Sequence, residues 1–255
     1  MGSIGDVVLV LLGAAAGGLV NGLTGFGTGI TALPFWLHAL TPVAATQLVA
    51  ACSVGGQLTT LRAILPAVDW QRSAPMILAG IAGVPLGTVI SAAIDAASFK
   101  RLVGVIVIAY ALFLLTRRPK AKPAGDRDVT DHVLVPVGFV AGVLSGLAGL
   151  SGVLPTMLAL WLGWNKQRSR AFFQAFNLPV LAATLLIHLI INGPATGLLA
   201  AFLAALPVTI GSALLGQWIY RRMPTQRFQT VVLALLILSG LSLIAGPWPA
   251  LPRSS

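Results

Sequence analysis

The stretch NGLTGFGTGI, residues 21–30, lies in the most apolar third of the chain and carries four glycines, an asparagine and two threonines. It falls in a run of 55 uncharged residues between Asp6 and Arg62. Because a membrane-spanning helix needs about 20 residues, this run is slightly too short for three full crossings with their turns. The economical interpretation is that two short helices meet at a break inside the membrane, and that the glycine stretch is the break.

The composition indicates a polytopic membrane protein. Of the 255 residues 57% are hydrophobic and 9% are charged, and the mean hydropathy of +0.93 lies far outside the range of soluble globular proteins. The N-terminus lacks the basic region of a signal peptide, so we expect the first segment to be retained. The net charge of +10 is interpreted as a signal of membrane orientation, and no nucleic-acid partner is expected.

Ten apolar segments divide into two sets of five. A charged linker separates them, which predicts a first transmembrane repeat at 1–116, a cytoplasmic linker at 117–131 and a second transmembrane repeat at 132–255. The segments are 7–22, 28–40, 43–61, 73–94, 102–116, 133–149, 152–163, 171–191, 195–220 and 228–246.

The two halves resemble each other in sequence. GGLVNGLTGFGTG at 17–29 aligns with AGVLSGLAGLSG at 141–152, and VPLGT at 84–88 aligns with VTIGS at 208–212. Gln47 and Gln174 follow the glycine motifs at nearly the same offset. The prediction is an all-α membrane protein of two repeats with about five helical segments each, and each repeat begins with two short helices broken at a glycine-rich motif inside the membrane.

Basic residues predict how the repeats are oriented. If each broken pair returns to the side it came from, the second repeat is inverted relative to the first, and thirteen of the sixteen lysines and arginines fall on the side of the linker. Only Lys100, Arg101 and Arg253 fall on the other side. The positive-inside rule therefore places the linker in the cytoplasm and both termini outside.

The break has the features of an anion site. The N-terminus of the second short helix presents unpaired N–H groups and the positive end of the helix dipole, and glycine lets a ligand approach the backbone closely. The sequence contains no glutamate, and every aspartate lies at a segment end or in a loop, so no buried carboxylate is expected. Another interpretation is that the glycines serve only close helix packing. The candidate substrate-binding residues are Asn21, Thr24, Gly25, Phe26, Gly27, Thr28, Gln47, Ser145, Ser151, Gly152, Gln174 and Asn177.

Other chemistry has little support in the sequence. His38 and His188 are the titratable groups within apolar runs that could shuttle a coupling proton, but both lie near segment ends, which favours a structural or interfacial role. The single cysteine, Cys52, excludes an intrachain disulfide. No metal-ligand cluster, phosphate loop or dinucleotide motif is recognised, so no cofactor and no enzymatic activity are expected.

The motifs GLTGFGTGITALP, GLAGLSGVLPT and RAFFQAFN make the sequence similar to the sulfite exporter TauE/SafE family over residues 7–246. The resemblance implies a transporter that exports a small sulfur-containing or organic anion, such as sulfite, sulfoacetate or a related sulfonate. It implies a bacterial inner-membrane location, and its signature positions carry over onto Asn21, Thr24, Gly25, Phe26, Gly27, Ser151, Gly152, Gln174 and Asn177. An anion channel or facilitator, and uptake of a small organic carboxylate, remain alternatives, and the oligomeric state is left open.

Overall fold

The described part of the chain folds into nine α-helices. The computed structural model describes residues 4–59, 70–116, 130–162, 164 and 166–222, together with residues 237 and 241. The helices are α1 (Ile4–Thr24), α2 (Thr28–Ala39), α3 (Pro42–Leu58), α4 (Trp70–Ala93), α5 (Ala96–Thr116), α6 (Asp131–Ala148), α7 (Val153–Leu162), α8 (Lys166–Asn192) and α9 (Leu198–Arg222). The predicted segment at 228–246 and most of the predicted linker lie outside the described residues.

Six of these helices are long and apolar enough to cross a membrane, which makes this a multi-pass membrane protein. They are α1, α4, α5, α6, α8 and α9. The first helix of each glycine-linked pair is longer than predicted, with 21 residues in α1 and 18 in α6, whereas α2 has 12 and α7 has 10. The reason is that Asp6 and Asp131 lie within the first turns of α1 and α6, where a carboxylate is favourable, so α1 begins before Asp6 and α6 begins at Asp131.

The helix α2 folds back along α1. Gly17 of α1 lies against Thr28 and Ala32, and Gly13, one turn earlier, lies against Trp36, one turn later in α2. The indole Nε1 of Trp36 donates a hydrogen bond of 2.9 Å to the carbonyl oxygen of Val10. The two helices are therefore antiparallel, and the chain reverses direction within residues 25–27.

The halves interlock through two long helix pairs. Helix α1 packs along α9, and α6 packs along α4, so the first helix of each half contacts a late helix of the other half. Gly22 of α1 lies directly on the backbone of Ala213, and Gly146 of α6 lies on the backbone of Val84. Gly22 and Gly146 therefore serve close helix packing, because small residues let helix backbones approach closely in membranes.

Candidate functional site

The first glycine motif is a tight reversal closed by a threonine. Gly25 and Gly27 have φ of +83° and +98°, a left-handed conformation that residues with a Cβ rarely adopt. The Thr24 hydroxyl lies 2.6 Å from the carbonyl oxygen of Phe26 and accepts a hydrogen bond from the Phe26 N–H at 3.2 Å. Thr24 therefore closes the turn with its own side chain.

The second glycine motif ends α6 in a similar way. Gly149 is left-handed, with φ +68°, and its N–H donates to the carbonyl oxygen of Ser145 at 2.6 Å. The next N–H, from Leu150, donates to the carbonyl oxygen of Leu144 at 3.2 Å. Such bonds around a left-handed glycine are a common way to stop a helix. Helix α7 starts at Val153, after a short turn.

The two motifs touch each other, although more than a hundred residues separate them. A Cβ added to Gly29 would lie 2.7 Å from the carbonyl oxygen of Gly149, and one added to Gly152 would lie 2.6 Å from Cδ2 of Phe26. No larger residue fits at either contact without a shift of its neighbour. The missing side chains therefore allow the two chain reversals to meet.

A small buried cavity lies where the motifs meet. Its volume, measured as the space open to the centre of a water molecule, is about 10 Å³. Among the described residues, neutral side chains and backbone line it, and none of them is charged. The lining residues are Phe26, Gly27, Thr28, Gly29, Ile30, Ser53, Gln57, Gly149, Leu150, Ser151, Gly152, Asn177 and Leu181.

Among the described residues, Thr28 and Asn177 each contribute to this lining a buried polar side-chain atom without a hydrogen-bond partner. These atoms are the hydroxyl of Thr28 and the side-chain carbonyl oxygen of Asn177, on residues that are 2% and 1% exposed. Leaving such a group unpaired costs about 1–3 kcal/mol. The start of α2 adds further unmet hydrogen bonds, because its first N–H groups have no intrahelical acceptor and Gly27 makes no side-chain cap. The cavity is therefore a place where a bound polar molecule would gain hydrogen bonds.

Half of the residues predicted as a substrate site line this cavity and half do not. Those that line it are Phe26, Gly27, Thr28, Ser151, Gly152 and Asn177. Gln47, buried in α3, instead holds the loop after α8, since Nε2 donates to the Gly193 carbonyl at 2.7 Å and Oε1 accepts from the Ala195 N–H at 3.0 Å. The Ser145 hydroxyl pairs with that of Thr184 at 2.7 Å.

The remaining predicted residues cluster beside the first reversal. Asn21 is buried next to Gly56 of α3. Gly25 packs against the side chains of Arg170 and Gln174, both on α8. Arg170 also donates a hydrogen bond of 3.4 Å to the carbonyl oxygen of Gly22. A cation thus lies next to the motif, although in the sequence its charge was interpreted only as an orientation signal.

Sequence reasoning did not select two polar residues that line the cavity. Ser53 and Gln57 are buried on α3 and lie one helical turn apart, so they share one face. Two polar residues four positions apart in an apolar segment are the sequence pattern that could have identified them. The lining also includes Gly29, Ile30, Gly149, Leu150 and Leu181, which contribute backbone or apolar surface.

Neither histidine within an apolar run lies at the cavity. His188 is fully buried, with Nε2 2.6 Å from the carbonyl oxygen of Gly146 and Nδ1 3.4 Å from the side-chain amide of Asn192. Both ring nitrogens are therefore used, as the structural interpretation expects. His38 is exposed, and its Nδ1 lies 2.6 Å from the carbonyl oxygen of Pro34. In the part of the chain that is described, no group of three or more His, Cys, Asp or Glu is placed to hold a metal ion.

A model of a known protein family matches most of the chain. The family model described as "Sulfite exporter TauE/SafE" matches residues 9–243 and confirms the resemblance carried by the glycine motifs. No curated protein and no solved structure matches the chain.

Proposed function

Because the chain belongs to the sulfite exporter TauE/SafE family, we propose that it is a secondary transporter that exports a small sulfur-containing or organic anion, such as sulfite, sulfoacetate or a related sulfonate. The anion binds in the cavity between the two glycine motifs. The observation that carries this proposal is the convergence of both motifs on one buried cavity that contains the unpartnered polar atoms of Thr28 and Asn177.

The lining suits an anion because it offers donors and no carboxylate. The hydroxyls of Thr28, Ser53 and Ser151 can each donate one hydrogen bond. The N-terminus of α2 adds backbone N–H groups and the positive end of its dipole. A half-turn of the Asn177 amide would exchange its carbonyl oxygen for an NH₂ group that donates. An oxyanion can thus be bound here without a formal positive charge in the lining.

The cavity as described is smaller than the proposed substrate. A volume of about 10 Å³ for water centres has room for roughly one water molecule, and the four heavy atoms of sulfite need more space. Transport requires that the lining opens to admit the anion.

The helix contacts support alternating access by two inverted repeats. The pairs α1 with α9 and α6 with α4 match each other under the alignment of the two halves. Rocking of one repeat against the other would change access to a site held at their interface. With the predicted orientation, both termini lie outside a bacterial inner membrane and the linker lies in the cytoplasm.

A facilitator that lets the anion flow without coupling is the second candidate, because the described residues of the lining include no titratable group that could carry a coupling proton. The two candidates differ in counterflow. A carrier loaded with unlabelled anion accelerates uptake of labelled anion, whereas an open pore does not.

Two measurements on the purified protein test the proposal. Thermal unfolding in detergent is compared with and without sulfite, sulfoacetate, taurine, sulfate and small carboxylates, because a ligand at a hundred times its Kd stabilises the folded state by about 2.7 kcal/mol. The best ligand is then followed in proteoliposomes, with and without a pH gradient. We expect stabilisation and saturable flux with a sulfur oxyanion or sulfonate. Flux no greater than in protein-free liposomes for all these anions would refute the proposal.

A further inference from the structure

We propose that Phe26 is the gate of the anion cavity on the side of Arg170 and that its ring sets the size of the anion that can pass. The role in anion selection rests on the proposed function. The role as a gate rests on the structure around Phe26 and can be tested separately.

The backbone around Phe26 can change conformation once its two hydrogen bonds with the Thr24 hydroxyl are broken. Phe26 is the central residue of the three-residue connection between α1 and α2, and both of its neighbours, Gly25 and Gly27, are left-handed glycines. Glycine populates several backbone regions at little cost, so the connection can change its dihedral angles while the two helices stay folded. In the second motif, Leu150 also lines the cavity but follows a single left-handed glycine, Gly149, and precedes Ser151. The lining residue of the first motif therefore has a left-handed glycine on both sides, whereas that of the second motif has one on one side only.

The ring of Phe26 forms part of the wall of the cavity. It is 9% exposed and packs edge-on against the ring of Phe173, with centroids 5.3 Å apart and planes at 70°. The side chain also lies against Gly152 of the opposite motif, where a Cβ would be 2.6 Å from Cδ2 and 3.1 Å from Cβ of Phe26. The ring thus closes the gap between α8 and the second motif.

The order of residues along α8 shows which side of the cavity Phe26 closes. Asn177 lines the cavity, Phe173 lies one turn before it, and Arg170 lies about one turn before Phe173. With a rise of 1.5 Å per residue, Phe173 is about 6 Å from Asn177 along the axis, and Arg170 is about 10 Å from it. The ring of Phe26, packed on Phe173, therefore lies between the cavity and Arg170.

Arg170 gives this side of the cavity a positive charge. Its side chain runs past Gly25 and reaches the carbonyl oxygen of Gly22, so it is held at the outer side of the ring. An anion that approaches from this side meets the charge of Arg170 first and the ring of Phe26 second. The predicted orientation places this entrance in the cytoplasm, as an exporter requires.

Thiol accessibility tests the gate without any assumption about the substrate. Ser151, which lines the cavity, is changed to cysteine in a Cys52→Ala background, and the rate of modification by a small charged methanethiosulfonate is measured in the folded, detergent-purified protein. If the open state is a minor one of up to ~10%, Phe26→Ala raises the rate about tenfold or more. The matched control is Phe172→Ala. Phe172 lies on the same turn of α8 as Phe173, the packing partner of Phe26, but it packs on Trp164 and does not line the cavity. Equal rates with and without Phe26→Ala would overturn the proposal.

Anion selectivity tests the second part of the proposal. In proteoliposomes we expect Phe26→Ala to raise the flux of benzenesulfonate relative to sulfite. Gly152→Ala is expected to reduce sulfite flux, because the added methyl group presses on the ring. Adding Phe26→Ala to this variant is expected to raise its sulfite flux about tenfold. A double variant as slow as Gly152→Ala alone, or an unchanged flux ratio in Phe26→Ala, contradicts the role in selection. If the wild type moves no anion, the proposed function fails, and thiol accessibility still decides whether Phe26 is the gate.

Discussion

The carbonyl oxygen of Gly146 lies 2.6 Å from Nε2 of His188, so the imidazole caps the last turn of α6. The last carbonyls of a helix have no intrahelical donor, and the N–H groups of Gly149 and Leu150 are used by Ser145 and Leu144. Gly22, which aligns with Gly146, accepts its hydrogen bond from Arg170 at 3.4 Å. Arg170 and His188, near opposite ends of α8, thus bind the C-terminal ends of α1 and α6.

His188→Leu is expected to lower the free energy of unfolding by about 1–3 kcal/mol, because it leaves the Gly146 carbonyl buried without a donor. His188→Gln keeps a donor and is expected to recover part of this loss. Thermal unfolding in detergent measures both effects. We expect the pH dependence of flux to be the same in His188→Gln as in the wild type. Its loss in a fully folded variant would identify His188 as a proton carrier instead.

Thr28→Val is expected to weaken anion binding without loss of stability. The Thr28 hydroxyl has no hydrogen-bond partner in the part of the chain that the structure describes, so its removal is expected to leave the free energy of unfolding unchanged or slightly higher. A hydrogen bond to a charged ligand contributes about 1.5–3 kcal/mol, which corresponds to an increase in Kd of roughly 10- to 100-fold. Thr31→Val is the matched control, because the Thr31 hydroxyl donates to the Gly27 carbonyl at 2.8 Å and Thr31 does not line the cavity. Equal Kd values in the two variants would remove Thr28 from the site.

Gln47→Leu separates two roles for a residue predicted as a ligand. Its amide makes two hydrogen bonds to the loop after α8, so we expect a loss of about 1–3 kcal/mol in the free energy of unfolding. The Kd of the anion, measured on the folded fraction, is expected to stay the same. A weaker Kd at wild-type stability would instead support the sequence-based assignment of Gln47 to the substrate.

Gly22→Ala and Gly211→Ala are expected to have opposite effects. A Cβ at residue 22 would lie 2.7 Å from the backbone carbon of Ala213, so α1 and α9 must move apart at a cost of about 1–3 kcal/mol. Among the described residues, none has an atom within 4 Å of the same position at Gly211, which is also in α9. Alanine there is expected to be neutral or to stabilise the helix by up to ~1 kcal/mol. A thermal unfolding curve for each variant measures the difference, and equal destabilisation would show that close packing of α1 is not the cause.

Asp95 provides a pH-dependent contribution to stability outside the predicted spans. Its carboxylate accepts hydrogen bonds of 3.0 Å from the N–H groups of Ala97 and Ser98 at the start of α5. Hydrogen bonding, first from the Ser98 side chain and then from these N–H groups, lowers the pKa of Asp95 below its ordinary value. The stabilisation is therefore present at neutral pH and is lost as the pH falls through the lowered pKa.

We accordingly expect Asp95→Ala to unfold at a lower temperature than the wild type at pH 7, with a difference that disappears in strong acid. Asp95→Asn retains a capping oxygen, so a smaller difference that is independent of pH is expected. A difference that persists unchanged through acid titration would rule out the carboxylate as its source.

The positions of the helices could be predicted because polar residues and glycines interrupt the apolar sequence. The predicted segment 28–40 corresponds to Thr28–Ala39, and 43–61 corresponds to Pro42–Leu58. The two glycine motifs could be paired because they align, and they do meet at the cavity. These features depend on the order of residues along the chain, so they can be read from the sequence directly.

The choice among buried polar residues could not be predicted, because tertiary contacts decide it. Gln47 and Asn177 are both amides in apolar segments, yet Gln47 is fully engaged by a loop 146 residues away and Asn177 lines the cavity. Arg170 lies in a cluster of basic residues typical of a membrane surface, and only the fold shows that it reaches the first motif. The extra length of α1 likewise follows from Asp6 being within the helix.

The pairing of α1 with α9 also determines the order of assembly during synthesis. At ~5–20 residues per second, the ribosome needs roughly 10 to 35 s to extend the chain from Thr24 to Leu198. Throughout that interval Gly18 and Gly22 have no α9 to pack against, although α1 has already been made. Helix α1 is thus completed by its partner late in synthesis, and a nascent chain that stops before residue 198 presents the surface of Gly18 and Gly22 to lipid or to the insertion machinery.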